Sequence, residues 1–175
     1  RRVKLYFMIG LPTETEEDLQ GIVNLAKKLA KLGDEIRLDS DYNRRVSVNV
    51  SVSTFVPKPH TPFQWSNFNT LTEIKDKIQY LKNNLQGKDL SLDWNEPTLS
   101  LLEAVFARGD RRTADLLEKA WELGARFDGW RECFDYQLWQ KAASEIEFNL
   151  EEYAYRDFDL ESRLPWDHLL VGVSK

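Results

Sequence analysis

The sequence predicts an α/β fold, with three short strands separated by two amphipathic helices and followed by a helical C-terminal half. Three observations carry this. Residues 46–53 alternate strictly, Val46, Val48, Val50 and Val52 against Ser47, Asn49, Ser51 and Ser53, which is the period of a strand. Capped helical stripes lie on both sides of that strand, and each leads into or follows an alternating run. Beyond Asn95 alternation stops and only helical spacing remains. Strands joined by helical crossovers are expected to be parallel with right-handed connections. Three of them make an arc of a β/α barrel or part of a doubly wound sheet, fewer than the roughly eight that close a barrel. An open edge is therefore expected.

Val3, Leu5, Phe7 and Ile9 alternate with Lys4, Tyr6 and Met8 as the first strand, and Gly10-Leu11-Pro12 turns the chain out of the sheet. Thr13 with Glu16, and Thr15 with Asp18, have capping-box spacing, and the acidic run from Glu14 complements the positive end of a helix. Leu19, Ile22, Val23, Ala26, Leu29 and Ala30 form its apolar stripe, with Gly33 placed to end it. The valines of the second strand pack under helices. Its small polar face suits either a crowded polar lumen or a half-exposed sheet. Pro57, Pro59 and Pro62 stop the strand and stiffen the loop after it. Thr70 and Glu73 cap a second helix through Ile74, Ile78, Leu81 and Leu85, closed by Gly87, and Leu90, Leu92 and Trp94 form the third strand.

The helical half starts at Pro97, with apolar positions Leu99, Leu102, Val105 and Phe106 ending near Gly109. Asp110 caps a helix whose Ala114, Leu117, Ala120 and Trp121 share a face, and Asp135 starts another through Leu138, Trp139, Ala142 and Ile146. The final stretch, from Glu151, lacks a clean period and reads as ordered loop packed by Tyr153, Tyr155, Phe158 and Trp166. Two domains follow, residues 1–96 and residues 97–175.

Composition sets limits on function. A net charge of -5 argues against a general nucleic-acid or membrane surface, and no apolar run approaches the roughly 18 to 20 residues of a membrane span. The lone cysteine, Cys133, rules out an internal disulfide and fits a reducing compartment, so a cytoplasmic location is expected. Opening on RRVKLYF and stopping at GVSK, the chain is expected to be a fragment of a longer protein.

KLYFMIGLPTETEEDL followed by STFVPKPHTPFQW resembles radical S-adenosylmethionine (radical SAM) proteins, and LEAVFARGDRRTADLLEKAWELGARFDGW with LPWDHLLVGVSK is similar to the C-terminal part of the subgroup with an upstream cobalamin-binding domain. The resemblance implies a partial TIM-type barrel that holds S-adenosylmethionine and a four-iron four-sulfur cluster, with cobalamin left open as a further cofactor of the full-length protein. Its chemistry is the cofactors'; the protein positions them and excludes water. On this resemblance Gly10, Leu11 and Pro12 match the turn near the nucleoside, and Ser53, Thr54, Phe55 and Val56 the strand end that meets the adenine. The cluster's three cysteine ligands, C-x-x-x-C-x-x-C, are absent, because the chain has only Cys133. The fragment alone is therefore expected to be inert, and its partners to be the N-terminal barrel half and the cobalamin-type domain of its own polypeptide.

Other residues compete for a role. His60 and His168 lack partners at metal-ligand spacing and read as surface or packing histidines. Arg108, Arg111 and Arg112 could grip phosphate or RNA, but a solvated helix start beside acidic neighbours is the preferred explanation. The tryptophans, Trp65, Trp94, Trp130 and Trp139 among them, read as core rather than base-stacking platforms. Asp93 and Glu96 follow or end the third strand, where barrel enzymes place function. Two further classes thus stand beside the radical enzyme: a non-enzymatic interaction module, and a fragment of a β/α-barrel hydrolase using Asp93 or Glu96.

Overall fold

The computed structural model describes residues 2–38, 45–169 and 172. The chain divides into two compact units, Arg1–Phe55 with Leu71–Asn95, and Val56–Thr70 with Glu96–Lys175. The proline loop thus groups with the helical half.

The first unit contains β1 (Arg2–Ile9), α1 (Glu16–Leu38), β2 (Ser47–Thr54), α2 (Leu71–Asn84) and β3 (Leu90–Trp94). The strands lie side by side in chain order and all run parallel, with Leu5 beside Val50 and Val50 beside Leu92. This register stacks Val3, Leu5, Phe7 and Ile9 with the valines of β2 and with Leu90, Leu92 and Trp94 on one face. Val48, Val50 and Val52 are buried there, as are Ile22, Val23 and Ala26 of α1 and Ile74, Ile78 and Leu81 of α2. The two helices also touch, the Tyr80 hydroxyl donating to Gln20 Oε1 at 2.6 Å, so both cover the same face. The opposite face carries Lys4, Tyr6 and Met8 beside Asn49, Ser51 and Ser53, with Ser91 and Asp93 beyond them. Ser47, Asn49, Ser51 and Ser53 of β2 are half-buried on this face, while Tyr6 is 73% exposed.

The helix α1 does not end at Gly33. It continues to Leu38, and Gly33 is needed inside it because a methyl group there would stand 2.7 Å from the Val46 Cβ. At the other end the Thr15–Asp18 spacing is the one used, Asp18 accepting from the Thr15 N–H at 2.8 Å and its hydroxyl at 2.9 Å. These bonds hold the Asp18 carboxyl below its ordinary value, the backbone N–H contributing most.

The second unit holds α3 (Pro97–Arg108), α4 (Arg112–Glu122), α5 (Tyr136–Glu145) and α6 (Leu150–Tyr155). The last corrects the expected loop: Asn149 accepts from the N–H groups of Glu151 and Glu152, a cap that starts a short helix where periodicity is too brief to read. The face expected for α4 is also rotated. Leu116 and Ala120 are buried, whereas Leu117 and Trp121 are exposed, because adjacent leucines leave the stripe ambiguous by one residue. Residues 56–70 are tied to these helices by Phe68 N–H to the Ala154 carbonyl, by Phe158 N–H to the Trp65 carbonyl, and by Trp166 Nε1 to Gln64 Oε1.

Candidate functional site

Ile9 is fully buried at the C-terminal end of β1, and the chain leaves the sheet through Gly10 at φ 83°, a left-handed conformation that glycine adopts without strain. Leu11 to Glu14 then form a turn, the Glu14 N–H donating to the Leu11 carbonyl at 3.1 Å, with Pro12 at its second position and Thr13 at φ 70° in its third. The Glu14 side chain folds back under this turn. One oxygen accepts the Gly10 N–H at 3.0 Å and the other meets Lys77 Nζ of α2 at 2.6 Å, with only 6% of the side chain exposed.

The end of β2 lies beside this turn. Ile9 pairs with Thr54 in the register, and the Phe55 N–H donates to the Ile9 carbonyl at 2.8 Å. Gly10, Thr54 and Phe55 are thereby brought together at one edge of the sheet, and the Ser53 hydroxyl donates to the Phe7 carbonyl at 3.3 Å. Leu11 and Pro12 are half-buried and line a cleft of about 530 Å³ with Phe7, Met8, Glu14 and Leu25. Thr54 and Phe55 are buried, so their backbone and not their side chains would be offered to a ligand. Val56 is buried too and is the first residue of the second unit.

Of the remaining candidates, Asp93 sits on the polar sheet face, where it accepts from Asn49 Nδ2 at 2.9 Å. Glu96 belongs to the second unit, at the start of α3. Arg108 is not solvated. It is fully buried, donating to the carbonyls of Ser66 and Arg156, and this burial, with Arg156 nearby, pushes its guanidinium down to about 10. Trp139 is core, but Trp130 is 64% exposed and so departs from the expected core role. His60 lies in the proline loop at φ 58°, its N–H donating to Gln64.

Cys133 is exposed, and among the described residues no three His, Cys, Asp or Glu side chains gather as metal ligands. The residues present therefore do not fit an iron–sulfur cluster. No described helix is long and apolar enough to cross a membrane. Sequence reasoning missed the Glu14–Lys77 contact, since partners 63 positions apart leave no local signal.

Fold and site define a class, an α/β unit with a three-stranded parallel sheet and a backbone-lined turn at the strand ends. No family model matches the sequence, and no solved structure does. An uncharacterized protein of Methanocaldococcus jannaschii is 35% identical over 117 residues, which are 67% of this chain and 23% of that protein. The chain thus spans under a quarter of the length of this relative.

Proposed function

We propose that the chain is the C-terminal part of a radical SAM enzyme, in which its strand ends line the S-adenosylmethionine and substrate side of a partial β/α barrel. The observation that carries this is the layout of the sheet: strands in sequential order, all parallel, with both helices on one face and, on the other, the small polar residues of β2 beside Lys4, Tyr6 and Met8 of β1. A doubly wound sheet reverses its strand order and covers both faces. A barrel arc keeps its order and turns one face to the lumen. The meeting of the Gly10 turn with Thr54 and Phe55 supports the same reading, because the resemblance assigns these two segments to the nucleoside.

The partner in this reading is the remainder of the same polypeptide. As an edge strand, β1 is flanked by the cleft that Leu11, Pro12 and Leu25 line, and α1 exposes Leu25, Leu32 and Ile36 at helical spacing along one flank. Such a flank suits a preceding strand and helix. S-adenosylmethionine would be held by backbone at the strand ends, where this chain orients the nucleoside and excludes water. The cluster, with ligands outside this chain, would supply the electron.

The test is the full-length gene product, reconstituted with iron and sulfide under anaerobic conditions. Deoxyadenosine should be released from S-adenosylmethionine, and Gly10→Ala should weaken its binding while residues 1–175 alone release none. A reading frame with no C-x-x-x-C-x-x-C loop ahead of Arg1 would end the proposal.

A further inference from the structure

We propose that the second unit binds a phosphate monoester in a cleft between the start of α4 and the segment Arg163–His168, independently of the radical reading. This cleft, of about 450 Å³, is lined by Asp110, Arg111, Arg163, Leu164, Pro165 and His168. Arg111, Arg163 and His168 are exposed, and none of the three meets a carboxylate among the described residues. The neighbouring arginines are engaged elsewhere. Arg108 is buried on two backbone carbonyls, and Arg112 donates to the Glu147 carbonyl at 3.2 Å and lies over Phe148.

Asp110 lines the cleft as well and keeps its negative charge, but both of its oxygens are directed to other donors. Its Oδ1 accepts the Arg112 N–H at the start of α4 and its Oδ2 accepts the Tyr153 hydroxyl, both at 2.9 Å. The Asp167 carboxylate accepts the Leu164 N–H at 2.9 Å. That bond, together with Asp167 N–H to the Leu164 carbonyl, closes a turn whose Leu164 and Trp166 are buried. Trp166 is further fixed by Gln64 and edge-on to Phe158. The backbone that carries Arg163 and His168 is therefore anchored on both sides of Pro165. A chain of net charge -5 thus holds three cationic or protonatable side chains over one cleft on a rigid support.

Charge selects the ligand. Two guanidinium forks match a monoester, which carries about −1.5 to −2 at neutral pH, and each can grip two of its oxygens. A carboxylate or a phosphodiester offers two charged oxygens where a monoester offers three, too few to fill both forks. Leu164 and Pro165 give the ester side a short apolar wall. Two sources present this group: a free small phosphomonoester, or the 5′-phosphate at the end of an RNA strand.

Titration calorimetry of the whole chain with inorganic phosphate, AMP and acetate tests the site. Phosphate and AMP should bind and acetate should not, and Arg111→Gln and Arg163→Gln should each weaken binding by at least about tenfold, the loss expected for a charge-assisted hydrogen bond. Both side chains are exposed, so circular dichroism of the variants should be unchanged. A 5′-phosphorylated RNA that binds more tightly than AMP, and more tightly than its 5′-hydroxyl counterpart, assigns the source to RNA ends. If it binds no better than AMP, the source is the free ester. No phosphate binding, equal binding of acetate, unchanged affinity in the double variant, or equal affinity for the two RNAs above that for AMP would each overturn the proposal.

Discussion

Gly10 and Thr13 occupy the same left-handed region for opposite reasons. At Gly10 the residue suits the backbone, and its N–H is collected by Glu14. At Thr13 a β-branched side chain is held in a conformation it disfavours, within a turn that Pro12 starts. Gly10→Ala should therefore cost about 1–2 kcal/mol, the penalty for a side chain in that region, and Thr13→Gly should gain about 1 kcal/mol by removing strain. Urea titration of the two variants against the parent reads the sign of each change. The glycine of this turn is legible from sequence as a breaker after an alternating run. Glu14 is not: an acidic residue before a helix is explained by the helix dipole alone, and only the fold shows its carboxylate joining the turn to Lys77.

The helix α1 tests how far packing overrides propensity. Ala is the better helix former than Gly by about 1 kcal/mol at an interior position. At Gly21 nothing lies within 4 Å of an added Cβ, so Gly21→Ala should stabilise by about that amount. At Gly33 the Val46 side chain stands 2.7 to 3.1 Å away, so Gly33→Ala should destabilise by about 1–3 kcal/mol despite the same propensity gain. Thermal melts of both variants, moving in opposite directions, are the expected outcome. The sequence shows which residues share a strand face because a period of two admits no ambiguity, and β2 buries three of the four valines its alternation predicts, Val48, Val50 and Val52, while Val46 precedes the strand and is half-buried. Helical faces are less certain. In α4 the pair Leu116 and Leu117 fits the period equally well, and only packing decides which one turns inward.

At the scale of the molecule, the order of strands was legible and the grouping of segments was not. Parallel pairing follows from helical crossovers between successive strands, and the sheet has that pairing throughout. That residues 56–70 leave the first unit between β2 and α2 follows from contacts such as Phe68 stacked on Tyr155, which no local pattern announces. One outcome bears on any attempt to study the helical half in isolation. A clone starting at Pro97 would omit Gln64, Ser66 and Phe68, leaving the Trp166 indole without its acceptor, Arg108 without one of its two carbonyls and Tyr155 without the ring stacked on it. Such a peptide should give a broad, uncooperative melt and weak near-ultraviolet dichroism. Supplying residues 56–70 as a separate synthetic segment should sharpen both, in the manner of a split protein completed by its missing piece.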